Sequence, residues 1–322
     1  MKKNEKKFKI ETLSAHLGKN PFENHGIPSP PVYRTSTILR QSMASYRNKD
    51  VKYTYGRNGT PTSESLTNSI ASLYNADGCV LAPSGMSAIT TGLMSTIKSN
   101  DHVLFPDSVY GSTRRFIKEE FPRLNIEYEF YNPRDLINLE SLIKINTTVI
   151  YLESPGTYTF EIIDIEKVIS ICKKHNLKSI IDNTWATAIF FNPLDFEVDI
   201  VIEAVTKYIS GHSDIMMGAV VANGENLESI ERWTRNSGIC VSPDDIYMSL
   251  RGLRTLPLRL KMSSENSIAT AHFLETMNEV KNVIHPALKQ HPDHEIWKKD
   301  FKGASGIFAI EFKDNISQEA VD

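Results

Sequence analysis

Asp182 and Lys207 are the two residues whose type and placement point most directly to chemistry. Asp182 closes the β-branched run Ser179-Ile180-Ile181, and Lys207 closes a second β-rich run that begins at Val198. In an open α/β sheet, ligands gather at the carboxyl ends of the strands. A lysine amine there can condense with an aldehyde, and a carboxylate can keep a pyridine nitrogen protonated. The pair therefore suits pyridoxal phosphate (PLP), whose ring accepts electrons in that state. An ordinary ion pair of loop residues satisfies the same pattern.

The elements that must hold these residues form an alternation. Residues 78–83, 103–105, 126–131, 147–152 and 219–222 read as further strands. Residues 136–145 and 165–175 carry helical spacing, and Leu66, Ile70, Leu73 and Tyr74 mark another helix. Strands alternating with helices imply parallel βαβ units and a doubly wound sheet. Ser84-Gly85-Met86 turns the first strand into a helix, a junction whose backbone N–H groups and dipole favour an anion. Many such junctions bind nothing, and no Gly-Lys-Ser/Thr follows to make this a Walker loop. In the loop from Tyr53 to Thr62, Arg57 offers several coplanar donors to a phosphate or only to solvent. Tyr110, between a strand and a helix, can stack on a planar ring or simply line the rim.

With 322 residues the chain has length for about two domains. Its 40% hydrophobic and 23% charged content is that of a globular protein. A net charge of -3 gives no footprint for nucleic acid. The lysines of the first seven residues precede no apolar stretch, so a secretory signal is not expected, and no run is long enough to span a bilayer. Cys79, Cys172 and Cys240 are far apart and lack C-x-x-C spacing, which fits a reduced, cytoplasmic setting. Pro21, Pro28, Pro30 and Pro31 make the first 50 or so residues read as an irregular arm that lies on the main domain or on a second subunit. His291-Pro292-Asp293-His294 lacks further ligands at zinc spacing and reads as a solvated loop, as does His212, so no metal is expected. Residues 305–312 read as a strand and 315–320 as the opening of a helix at the end of the chain, so the C-terminal domain is expected to be cut short.

Together these motifs resemble the trans-sulfuration, or Cys/Met-metabolism, family of PLP enzymes, from about Thr12 to the last residue. Thr206-Lys207-Tyr208-Ile209-Ser210-Gly211-His212-Ser213-Asp214 is similar to the family's cofactor-lysine signature. The resemblance implies a PLP fold-type I (aminotransferase-like) architecture, α/β with a mostly parallel sheet flanked by helices. It further implies an N-terminal arm (1–57), a PLP-binding large domain (58–252) and a partial C-terminal α+β small domain (253–322). It implies cofactor contacts from Ser84, Gly85, Met86 and Thr206, ring stacking by Tyr110, and Asp182 on the pyridine nitrogen. Tyr55 and Arg57 are implied to reach the phosphate across a subunit interface, in a dimer or tetramer with shared sites. The implied catalytic residues are Lys207, Tyr110 and Tyr55. Trp185 and Glu153-Ser154-Pro155-Gly156 resemble the β-lyase branch, as does the stretch from Phe301 to Phe308. That branch acts by β-elimination of L-cystathionine to homocysteine, pyruvate and ammonia, in methionine biosynthesis. The γ-lyase and γ-synthase branches, and a shortened PLP-binding protein with little turnover, are the alternatives. Ala204 stands where many members have a phosphate-holding serine. The family's carboxylate-binding arginine has no counterpart here.

Overall fold

The computed structural model describes residues 8–48 and 51–317. Their strands are β1 (Gly78–Ala82), β2 (His102–Pro106), β3 (Glu127–Tyr131), β4 (Thr147–Glu153), β5 (Lys178–Asp182), β6 (Ile200–Glu203), β7 (Gly218–Ala222), β8 (Val280–Ile284) and β9 (Ala309–Phe312). Contacts divide the chain into two compact units, Met1–Thr96 with Ile202–Pro257 and Ile97–Val201 with Leu258–Asp322.

In the first unit β7 lies between β1 and β6 and runs antiparallel to β1, Gly78 opposite Ala222 and Ala82 opposite Gly218. Every residue of β7 is buried, as its unbroken apolar sequence requires. The Pro61–Tyr74 helix starts with proline in its first turn and a capping box in which Thr60 and Ser63 satisfy each other's backbone N–H groups. Its apolar stripe buries Leu66, Ile70, Leu73 and Tyr74. The Tyr74 hydroxyl donates to Glu203 Oε2 at 2.5 Å, which gives the fully buried acid at the end of β6 a partner.

The arm is irregular, as expected, apart from short helices at Ile10–His16 and Met43–Asn48. Thr62 pins it, donating to the Pro31 carbonyl at 2.9 Å and accepting the Tyr33 N–H at 2.9 Å. Arg34 forks onto Asp244 at the start of the Pro243–Leu253 helix. The Ile10–His16 helix is docked as well, with Ser14 and Leu17 buried, whereas Phe22 is 96% exposed and Leu39 86%.

The second unit holds four parallel strands in the order β5-β4-β2-β3. All of β2 and nearly all of β4 are buried, the apolar runs that helices on both faces demand. Phe105 anchors an aromatic cluster, its ring 5.3 Å from Tyr151 and 5.8 Å from Phe121. Further along, β8 and β9 form an antiparallel pair over Ala271, Val283 and Leu288.

Several expectations change here. The 136–145 helix ends at Ser141, because Lys144 turns its N–H onto Thr147 Oγ1. Of the strand expected over 305–312 only β9 forms. The Ser305 and Ile307 carbonyls accept from Ser267 and Trp185 instead of from a ladder. Residues 314–316 make a turn, and the rest of the helix expected there lies outside the described residues.

His291-Pro292-Asp293-His294 is not a solvated loop: His291, Asp293 and His294 are buried. Asp293 accepts the Arg134 guanidinium at 2.8 Å and the Ile162 N–H at 3.1 Å, a paired charge holding separate segments together. No group of three or more metal-capable side chains occurs among the described residues. Cys79 and Cys172 are buried, Cys240 is exposed, and burial pushes the Cys172 thiol up to about 12. None of the described helices is long and apolar enough to cross a membrane.

Candidate active site

The first unit carries the lysine and the anion cradle. Beyond Glu203 the chain leaves β6 in a tight turn, with the Lys207 N–H donating to the Ala204 carbonyl at 2.9 Å and the Gly211 N–H to the Lys207 carbonyl at 2.9 Å. Lys207 is exposed on this turn, and Nζ has no partner among the described residues. Next to the turn stands the start of the Gly85–Met94 helix, capped by Ser84, whose Oγ accepts the Ser87 N–H at 3.0 Å. The Gly85 and Met86 N–H groups, at its first two positions, are left for an acceptor outside the helix. A Cβ on Gly85 would sit 2.9 Å from Ala204 Cβ, so only glycine lets the two segments approach this closely.

The structure therefore brings Ser84, Gly85 and Met86 together with the Ala204–Lys207 turn. Backbone donors, a helix dipole and a nearby amine are the donor set that a phosphate ester carrying an aldehyde needs, so these residues fit PLP. The Thr206 hydroxyl is engaged within the chain, accepting the Met217 N–H at 2.9 Å and donating to the Met217 carbonyl at 3.1 Å.

Tyr55 and Arg57 lie elsewhere in the same unit. Gly56 between them is obligatory, because a Cβ there would meet the Thr35 carbonyl oxygen at 1.9 Å. The Arg57 guanidinium donates to the Arg235 carbonyl at 2.7 Å, near the end of the Gly224–Ser237 helix, where a cation complements the dipole. Neither residue has a hydrogen bond to Ser84–Met86 among the described residues. Tyr55 is 42% exposed.

The second unit carries Asp182 and Tyr110. Asp182 ends β5 and accepts the Thr184 N–H at 3.0 Å. Burial pushes its carboxyl up, and the Thr184 contacts only partly oppose this. A carboxylate in that state gains by meeting a cation, which suits the pyridine nitrogen. Tyr110 caps the Gly111–Glu120 helix with its ring 45% exposed, free to face a flat ligand. Trp185 donates its indole N–H to the Ile307 carbonyl at 3.0 Å and packs edge-on against Phe301.

One residue of this unit escaped the sequence reading as a site residue. Glu153 ends β4 and is paired in register with Asp182 on β5. It accepts the Tyr110 N–H at 2.8 Å on Oε2 and the Thr157 hydroxyl on Oε1. The signal was present: Glu153 closes an apolar run as Asp182 does, placing two acids at the same edge of neighbouring strands.

The comparisons with known proteins agree with this chemistry. The family model described as "Cys/Met metabolism PLP-dependent enzyme" matches residues 11–322. A relative from Rhizobium johnstonii, provisionally named a cystathionine beta-lyase, is 44% identical over 94% of this chain and 76% of its own. A Wolbachia pipientis relative named L-alanine/L-glutamate racemase is 38% identical over 94% of this chain and 78% of its own. The solved structure of metB from Corynebacterium glutamicum superposes with a TM-score of 0.91 at 31% identity, covering 95% of this chain and 79% of that one. The expected α/β fold, mostly parallel with flanking helices, is thus shown, and with lysine, cradle and match along nearly its whole length, this chain belongs to the Cys/Met metabolism family of PLP-dependent enzymes.

Proposed function

We propose that this chain is a carbon–sulfur lyase that cleaves L-cystathionine by β-elimination to homocysteine, pyruvate and ammonia. The observation that carries the proposal is the Gly85–Ala204 approach, which sets a phosphate cradle beside Lys207. The β-lyase name of the Rhizobium relative supports the reaction class. Lys207 would hold the cofactor aldehyde, Ser84, Gly85 and Met86 its phosphate, Asp182 its ring nitrogen and Tyr110 its ring face. Thr206 fixes the lysine turn through Met217. Bound PLP supplies an electron sink for the charge left at the substrate Cα when its proton is removed.

Lys207 Nζ takes the Cα proton and delivers it to the leaving sulfur. The Cβ–S bond breaks as the Cα–Cβ double bond forms, homocysteine leaves as a thiol, and water hydrolyses the released enamine to pyruvate and ammonia. Asp182 keeps the ring nitrogen protonated. Tyr55 and Arg57 act from a partner copy in a homo-oligomer, Tyr55 assisting deprotonation of the substrate amine. We also propose a cytoplasmic setting, and a division near residues 57 and 252 into arm, large domain and small domain.

A second reading is amino-acid racemisation, favoured by the Wolbachia relative's name. It differs in one step, because the proton removed by a base returns to Cα instead of passing to sulfur. Purified protein supplied with PLP and L-cystathionine should release pyruvate. Release of 2-oxobutyrate instead would place it with the γ-lyases and sink the β-elimination reading. Equilibration of L- with D-alanine or glutamate, with no keto acid formed, would establish the racemase.

A further inference from the structure

Glu153 has its two carboxyl oxygens committed to two different loops of the second unit. Oε2 accepts the backbone N–H of Tyr110, in the loop after β2, and Oε1 accepts the hydroxyl of Thr157, in the loop after β4. The two loops also meet directly, since the Thr157 N–H donates to the Ser108 carbonyl at 2.8 Å. Gly156 packs so closely that a Cβ there would lie 2.3 Å from Ser108 Oγ. Glu153 is therefore the polar centre of a clamp that fixes the backbone of Tyr110.

The neighbour of Glu153 in the sheet is Asp182, its register partner across the parallel β4–β5 pair. Paired residues on adjacent strands have backbones about 5 Å apart and side chains on one face, so the two carboxyls share a site. Two carboxylates so placed resist simultaneous ionisation.

The hydrogen bonds also say where a proton can sit. Oε2 faces an amide N–H, which cannot accept. Oε1 faces the Thr157 hydroxyl, which can turn from donor to acceptor. Glu153 can therefore be neutral with its proton on Oε1 and still hold Tyr110 through Oε2.

We propose that Glu153 is a positioning residue for Tyr110, and that the charge at Asp182 decides whether it grips as a neutral acid or as a carboxylate. A cation paired with Asp182 removes the repulsion and lets Glu153 ionise. The Tyr110 N–H bond then becomes charge-assisted and stronger. Resting on the PLP reading above, this makes arrival of the protonated ring nitrogen the event that tightens the clamp on the tyrosine meant to stack on that ring.

Burial and the Asp182 charge push the Glu153 carboxyl up to about 8, while Thr157 and the Tyr110 N–H pull it down. Tyr151, held protonated by burial, also faces the pair, while Asp107 on the loop after β2 interacts with Glu161 and Arg114.

The test compares wild type with Glu153→Gln. The amide keeps an acceptor for Tyr110 and can donate to Thr157, but it has no proton to release. Calorimetric titration of the apoprotein with PLP at about pH 7, in buffers of different ionisation enthalpy, counts the protons exchanged. Wild type should release up to about one proton more than Glu153→Gln. Equal counts in two proteins that both bind PLP overturn the inference.

An infrared measurement on the apoprotein covers the case in which the variant does not fold. A buried protonated carboxyl band should be present in wild type at neutral pH and lost on adding PLP; its absence from the apoprotein, or its persistence in the complex, overturns the inference. Failure of wild type to bind PLP at all would instead overturn the cofactor reading, and the apoprotein band still decides whether Glu153 and Asp182 share a proton.

Discussion

Lys207 stands on its turn with an amine that has no partner among the described residues, and it is the residue whose loss should be felt most. Borohydride reduction of the PLP-loaded protein followed by peptide mapping should place the pyridoxyl group on Lys207; an adduct on another lysine would refute the assignment. Lys207→Ala should lose the bound-cofactor absorbance and at least about 10³-fold in rate, because nucleophile and proton carrier go together. The strand-end position of Asp182 was legible because it closes a β-rich run, and Glu153 closes one in the same way. What was not legible is the hold of Glu153 on the backbone of Tyr110, because sequence shows side-chain types but not which amide a carboxylate will meet.

Among the elements, the parallel strands β2 to β5 were read to within about a residue at each end, since a buried parallel strand must be apolar along its length. The run from Val198 to Lys207, by contrast, is a strand only over Ile200–Glu203, and β8 was not read as a strand. The stretches whose backbone is satisfied by side chains were not read correctly. Residues 305–308 look like a strand by composition, but Ser267 and Trp185 take their carbonyls. His291-Pro292-Asp293-His294 looks solvated by composition, but Arg134 neutralises its acid from far along the chain.

The small β8–β9 unit gives a pH-dependent case. His285 is fully buried; Nδ1 accepts the Ala287 N–H at 3.0 Å, so the ring proton sits on Nε2, which lies 3.2 Å from Ser267 Oγ. Burial, with a smaller effect of His291, lowers His285 to about 4. The unfolded chain binds that proton near pH 6.5, so the stability due to neutral His285 is complete above about pH 6.5 and is lost as pH falls through 4. Discounted for solvent screening, the loss should be on the order of 2 kcal/mol. Urea unfolding of wild type and His285→Gln across this range checks it: the two should converge toward acid, and parallel curves would refute the assignment.

At the scale of the molecule, the arm exposes Phe22, Leu39, Met43 and Tyr46, apolar side chains that a second copy would cover. Arg57, at its end, is turned toward Arg235 within its own unit. Both features agree with the proposal that the arm serves a second copy. A mixture of Arg57→Ala and Lys207→Ala proteins should then regain activity that neither has alone, since one site of each hybrid pair is intact; hybrids that form and stay inactive would exclude a shared site.

The cysteines make that pairing observable. With Cys79 and Cys172 buried and Cys240 at the surface, a maleimide dye should attach to the folded protein at one position without any substitution. Donor- and acceptor-labelled batches of the two variants would then report subunit exchange by energy transfer, in the same cuvette and over the same minutes in which pyruvate release is followed.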